Sequence, residues 1–185
     1  MATLRSRVIV AGEPTTGKTQ LIKQVCEGKF NHNYMMTQGV EYTVKEVPIE
    51  ERSYSSVELH LLDIAGQNIF KEITFDLLGK ANQVMLVYDV TNLDSFQLLR
   101  VWFDSIKQQN AGRGHLSGIV VANKIDLEAR QAVASTDGQA FANSIGFEFC
   151  EVSALQSKNI DVPFKTLADL HYAKYNDKIS TLMDA

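Results

Sequence analysis

The chain alternates short apolar runs with segments of helical periodicity. Residues 5–11 are rich in valine and isoleucine and end in glycine-rich turn chemistry, after which residues 18–26 place Leu21, Ile22 and Val25 on one helical face. Residues 30–39 are polar and irregular and read as a loop. Residues 40–49 alternate and predict an exposed strand, with residues 57–63 as its partner and a charged, serine-rich connection over 50–56. Residues 84–90 and 119–122 are essentially apolar runs, the pattern of central parallel strands covered on both faces. Residues 94–108 predict an amphipathic helix through Phe96, Leu99, Trp102, Phe103 and Ile106. A further helix is predicted over 136–145 and a further strand over 147–152. A last helix begins near Asp161, with Pro163 in its first turn, where the missing N–H costs little. Alternation of this kind predicts an α/β fold. Its sheet is six-stranded and mainly parallel, with one antiparallel edge strand and helices on both faces. Ligands of such sheets sit beyond the C-terminal strand ends.

The length of 185 residues suits one domain spanning 1–185, with a C-terminal helical extension at about 162–182. No repeat, low-complexity tract or linker divides it. The formal charge of −4 argues against a general nucleic-acid binder, and no apolar run approaches the roughly 20 residues of a membrane span. The start lacks both a signal-peptide stretch and the glycine that myristoylation needs. No cysteine follows Cys150, so no prenyl anchor is expected, and any membrane association is expected to go through a partner. Cys26 and Cys150 read as buried, reduced thiols of a cytoplasmic protein, and their spacing supports neither a disulfide nor a metal site.

The chemistry starts at Gly12-Glu13-Pro14-Thr15-Thr16-Gly17-Lys18-Thr19, which fits G-x-x-x-x-G-K-[ST] between a predicted strand and a predicted helix. That context makes it a P-loop rather than a chance glycine turn beside a surface lysine. Backbone N–H groups and the helix dipole would face phosphates, with Pro14, Thr15, Thr16 and Gln20 around them. Gly17 would let the backbone approach, Lys18 would place its charge between the β- and γ-phosphates, and the Thr19 hydroxyl is a hard oxygen suited to Mg²⁺.

Further motifs select the base and complete the metal shell. Asn123-Lys124-Ile125-Asp126 directly follows a buried strand. The Asp126 carboxylate would accept the N1–H and 2-amino group of guanine, whereas adenine would leave it unpaired at a cost of a few kcal/mol. Asn123 would tie this loop to the phosphate loop, and the Lys124 stem would cover the base. In Asp63-Ile64-Ala65-Gly66-Gln67, Asp63 would hold a Mg²⁺-bound water, the Gly66 N–H would reach the γ-phosphate, and Gln67 would orient the attacking water. A strand ending in an Asp-capped turn is the plainer alternative. Thr37 is placed to complete the Mg²⁺ shell. Phe30 would cover an edge of guanine and Tyr34 would lie over the phosphates, with ordinary packing as the alternative for both. Ser153 and Ala154 end the last strand and offer a backbone N–H to the guanine O6. Leu155 follows, where a lysine is usual.

These elements, in this order, resemble the Ras superfamily of small GTPases over essentially the whole chain. The resemblance implies GTP or GDP and Mg²⁺ as ligands. The stretch 34–41 (Tyr-Met-Met-Thr-Gln-Gly-Val-Glu) is Rab-like. Three departures separate it from ordinary Rabs: Leu62 stands where they carry tryptophan, the hairpin between Gly39 and Asp63 is a few residues longer, and the tail lacks prenylatable cysteines. Those departures point to a Rab-like subgroup serving intraflagellar transport. Supporting segments are Thr3-Leu4-Arg5, Gly12-Glu13, residues 56–63, and the stretch from Pro163-Phe164 to Tyr175-Asn176-Asp177-Lys178. The subgroup resemblance implies a role in the intraflagellar transport B complex of cilia or flagella. It also implies a heterodimer with a small β-sandwich subunit, intraflagellar transport protein 25, through residues 164–182.

Two functions remain open on the sequence. One is a GTP-driven switch with slow intrinsic hydrolysis, motivated by Thr37, Gly66 and Gln67. The other is a binding subunit that nucleotide mainly stabilises, motivated by Pro14, which removes an N–H and puts a ring beside the γ-phosphate. A vesicle-trafficking Rab without a lipid anchor is a variant of the first. A small-metabolite kinase would share only the P-loop and would leave Asp126 unexplained.

Overall fold

The computed structural model describes residues 2–31, 35–49, 54–67, 77–79, 81–112 and 114–183. Side-chain alternation in its strands divides two cores. In β1 (Ala2–Ala11), Val8 and Val10 point into one core while Ile9 and Ala11 point into the other. β4 (Gln83–Asp89) sends Met85 and Val87 one way and Val84, Leu86 and Tyr88 the other; β5 (Ser117–Asn123) divides Ile119 and Val121 from Val120 and Ala122. Every residue of β4 is buried, as a strand covered on both faces requires.

With β2 (Val40–Pro48), β3 (Tyr54–Ile64) and β6 (Glu148–Val152), these strands form one six-stranded sheet in the order β2-β3-β1-β4-β5-β6. Only the β2–β3 pair is antiparallel. Helices α1 (Lys18–Glu27) and α5 (Val162–Met183) cover the first core with Leu21, Ile22, Phe164, Leu167 and Ala168. Helices α2 (Leu93–Gln97), α3 (Leu99–Gln109) and α4 (Ser135–Ile145) cover the second with Leu99, Trp102, Phe103, Ile106, Ala142 and Ile145. The predicted fold class is the observed one. Among the described residues no helix is long and apolar enough to cross a membrane.

Three elements depart clearly from the sequence reading. The helix expected over 94–108 divides at Leu98, where ψ opens to −9° and the amide hydrogen is shared between the Asp94 and Phe96 carbonyls. Asn92 caps the first piece, accepting the Ser95 N–H at 3.1 Å. The strand expected from Val57 begins at Tyr54, and β1 begins at Ala2, because the two pair with each other: Thr3 faces Ser56 and Leu4 faces Val57. The Ser56 hydroxyl donates to Glu46 at 2.6 Å, so a residue with turn-like local preference is drawn into the ladder by tertiary pairing. Residues 50–53 of the expected connection lie outside the described residues.

Gly12, Ala65, Lys124 and Ser153 each directly follow a strand, at the C-terminal ends of β1, β3, β5 and β6. The topology therefore gathers the four motif segments at one edge.

Candidate functional site

The phosphate loop is shaped by two glycines with positive φ, Gly12 at 146° and Gly17 at 93°. Both are also sterically obligatory. A Cβ on Gly12 would overlap the Val87 carbonyl oxygen, and one on Gly17 would overlap the Asn123 side-chain amide. Thr15, at φ 63°, adopts the left-handed region without being glycine, a strain that the rest of the loop sustains. Lys18 folds back into the loop, 6% exposed, and donates to the carbonyls of Gly12 at 2.8 Å and Glu13 at 2.9 Å. Burial pulls its ammonium down to about 8, against the attraction of Asp63 and Glu13. The Thr16 hydroxyl closes the turn onto the Glu13 carbonyl at 2.9 Å. The Glu13 carboxylate is drawn aside by the Trp102 indole N–H of α3, at 2.9 Å.

An oxygen cluster lies beside it. The Thr19 hydroxyl is within 2.9 Å of the Thr37 hydroxyl and donates to Asp63 Oδ2. Asp63 is buried, and its Oδ1 has no hydrogen-bond partner among the described residues. Burial pushes its carboxyl up to about 6, against the Thr19 hydrogen bond and the Lys18 charge. Two hydroxyls and a carboxylate with one orphaned oxygen form a hard, all-oxygen donor set of the kind Mg²⁺ takes. A dication there would satisfy Oδ1 and offset the burial of the charge.

The third component follows β5 and β6. Asn123 is buried and fully engaged: its amide donates to the Thr16 carbonyl at 2.8 Å, and its oxygen accepts the Lys124 N–H at 2.8 Å and the Ala154 N–H at 3.2 Å. One side chain thus ties the phosphate loop, the β5 end and the β6 end together. Lys124 takes φ 69° and reaches back to Asp89 at 2.6 Å. The Ser153 hydroxyl donates to Asp126 Oδ1 and fixes that carboxylate in place.

These parts border one cleft of about 310 Å³. Its lining includes Pro14, Thr15, Gly17, Lys18, Thr19 and Gln20 from the phosphate loop and α1, and Phe30 and Thr37 from the following loop. Gly66, Gln67, Asn123, Lys124, Asp126, Ala154 and Leu155 also line it. Gly12, Thr16, Asp63 and Ser153 stand behind this lining and act on it through the bonds just described. Gly66 is packed so closely on the phosphate loop that a Cβ would overlap the Pro14 nitrogen and the Glu13 carbonyl carbon. The Gln20 side chain accepts the Asn31 N–H at 2.9 Å and so holds the start of the Phe30 loop. Tyr34 lies outside the described residues. Sequence reasoning missed Asn31, Met35, Met36 and Leu127 on the walls, and the Trp102–Glu13 and Lys124–Asp89 pairs. Each of these wall residues adjoins a predicted one, Asn31 after Phe30, Met35 and Met36 before Thr37, and Leu127 after Asp126, whereas the two pairs left no positional signal.

Comparison with known proteins places this geometry in context. The Ras family model matches residues 7–172. The chain is 39% identical over 181 residues to the mouse intraflagellar transport protein 27 homolog, covering 97% of this chain and 96% of that protein. It is 37% identical to intraflagellar transport protein 27 of Chlamydomonas reinhardtii, over the whole of this chain and 92% of that one. It is also 34% identical to the human DnaJ homolog subfamily C member 27, across 88% of this chain but 60% of that longer protein.

Proposed function

The chain belongs to the Ras family, and from that premise we propose that it is a GTP-binding, Rab-like small GTPase with slow intrinsic hydrolysis. It serves as a subunit of the intraflagellar transport B complex in ciliary or flagellar trafficking. The carrying observation is that one cleft joins Lys18 and the Thr19 and Thr37 hydroxyls, with Asp63 bonded behind Thr19, to Asp126. Anion-binding and guanine-reading chemistry would thus meet on a single elongated ligand. The whole chain acts as one G domain, with α5 as its C-terminal extension.

In this reading the phosphate-loop amides and Lys18 bind the phosphates, and Lys18 exchanges its present carbonyl partners for phosphate oxygens. Thr19, Thr37 and Asp63 hold Mg²⁺, directly or through water; when bound, it neutralises charge on the β- and γ-phosphate oxygens. Asp126, oriented by Ser153, accepts the two guanine donors. The Ala154 N–H and Asn123 shape the same pocket, and the stems of Lys124, Phe30 and Leu155 cover the base. Gln67 orients the attacking water.

Hydrolysis is slow because Pro14 removes one N–H donor from the loop and Gly66 packs directly on its nitrogen. The Pro14 ring would lie beside the γ-phosphate, near where an activating arginine would enter. Single-turnover hydrolysis of the wild type beside Gln67→Leu tests this. A further fall of about tenfold or more is expected in the variant, and equal rates would remove Gln67 from the mechanism. Nucleotide released from the purified chain should be GDP or GTP; adenine nucleotide would overturn the assignment of Asp126.

The names of the mouse and algal relatives support the transport role. A β-sandwich subunit like intraflagellar transport protein 25 docks on residues 164–182, in the cytoplasm and the cilium or flagellum. Co-purification with transport subunits is the expected outcome; recovery of vesicle-tethering effectors would favour a trafficking Rab. Pro14 also motivates a second reading, in which nucleotide chiefly stabilises a binding subunit, contributing about 4 kcal/mol at a thousandfold excess over Kd.

A further inference from the structure

The end of the sheet away from the cleft carries an unused cavity. β1 pairs with β3 over nearly its whole length but meets β4 only from Val8, opposite Gln83. The start of β1 therefore runs past the end of its other neighbour. Asn82 holds the step in place: its N–H donates to the Arg7 carbonyl at 2.8 Å, and its side-chain oxygen accepts the Arg7 N–H at 2.9 Å. The far half of α5 and the segment ahead of β5 close the notch below, leaving a cavity of about 590 Å³.

Its walls are basic. Arg5, Arg7 and His60 come from the strands, His115 from the segment ahead of β5, and His171, Lys174 and Lys178 from α5; no carboxylate lines it among the described residues. In a chain of formal charge −4, this is a local concentration of opposite sign. Glu58, outside the lining, is engaged by Arg5 at 2.9 Å and His60 at 3.5 Å. The Lys174 ammonium donates to the His115 carbonyl at 2.8 Å, so α5 is fixed against the opposite wall. Burial first, and then the charges of Lys174 and Lys178, hold the His171 imidazole below its ordinary value. Burial and Lys178 do the same to Lys174. The Lys174 and Lys178 charges thus stand close to His171 on the α5 wall, where an anion would offset them.

We propose that this cavity is a second anion site, open on the chain alone because its α5 wall lies within the segment 164–182 assigned to the β-sandwich partner, and that it takes a small ligand carrying two or more phosphate groups. Its volume falls in the range of small-ligand pockets, about 300–1,000 Å³. Arginine forks and lysine ammoniums on facing walls match phosphate oxygens. An extended acidic peptide would need a longer, open groove. The ligand is either a free polyphosphate or the headgroup of a phosphoinositide.

Two probes separate the sources: inositol hexakisphosphate in solution, and phosphatidylcholine vesicles carrying phosphatidylinositol bisphosphate. Each is titrated against the full chain in excess GDP and Mg²⁺, which occupy the phosphate loop. Binding of the soluble probe alone assigns a free anion; vesicle binding assigns a headgroup. Lys174→Gln with Lys178→Gln should weaken binding about tenfold or more. Arg7→Gln should weaken it from the opposite wall without touching α5. Lys158→Gln with Lys165→Gln removes the same charge from exposed positions and should leave binding within about twofold. The proposal is overturned if neither probe binds, if both double variants lose binding equally, or if Lys18→Ala abolishes it.

Discussion

The two walls of the nucleotide cleft are built differently. On one side, the phosphate loop and the Asn123 and Ala154 segments are locked by backbone bonds and by the absence of space: Asn123 alone serves three backbone partners. On the other, the Thr37 segment meets the rest through a hydroxyl pair and the Ala65 N–H to the Gly39 carbonyl at 2.9 Å, while Met35 is 75% exposed. The first wall fixes a ligand's position before it arrives. The second has contacts weak enough to be remade when a ligand changes, as a switch requires. If the proposed switch operates, binding and switching would thus rest on different physics within one pocket.

The largest test of that contrast compares two glycines. Gly12→Ala would drive a Cβ into the Val87 carbonyl at a φ of 146°, and should destabilise the fold by about 3 kcal/mol or more. Gly39→Ala, at φ 75° with nothing near its Cβ, should cost only about 1 kcal/mol of left-handed strain. Urea unfolding of both variants reads the difference directly. Equal losses would mean that the loop wall is as tightly built as the other.

The next effect belongs to Asn123→Ala, which leaves the Thr16 carbonyl and the Lys124 and Ala154 amides without their partner. A loss of about 2–3 kcal/mol is expected, from unsatisfied buried groups. The same denaturation series measures it, and nucleotide affinity should fall together with stability. Undiminished stability would show that water replaces the side chain and that the three segments hold without it.

The contrast also explains what could be read from the chain. Gly12, Gly17 and Asn123 belong to motifs because sterics and backbone bonding leave no other residue, so their spacing in sequence is already their geometry. The central strands were legible for a similar reason: burial on both faces demands the apolar runs of β4 and β5. Pairing that depends on a distant partner left no local mark. Ser56 enters β3 through Thr3 and Glu46, and Glu13 is turned aside by Trp102, 89 residues away. Thr15 and Lys124 adopt left-handed backbone that neither residue type announces. The basic notch was likewise hidden, since its walls come from both ends of the chain and only the step between β1 and β4 brings them together.

The smallest expected effect is the most diagnostic. Thr37→Ala removes one hydroxyl from a half-buried loop, and its bond to Thr19 is worth about 0.5–1.5 kcal/mol at most. Stability without nucleotide should barely move. If Thr37 completes the Mg²⁺ shell only beside a γ-phosphate, the loss should fall on the triphosphate complex alone. A non-hydrolysable GTP analogue would then bind about tenfold more weakly, while GDP affinity stays unchanged. Competition binding at saturating Mg²⁺ compares the two. An equal loss for both nucleotides would place Thr37 in the fixed wall, and the loop side would then have no means of sensing the terminal phosphate. A loss confined to the triphosphate would make the hydroxyl the link between ligand identity and loop position, because only a contact that distinguishes two ligands can shift an equilibrium between two conformations.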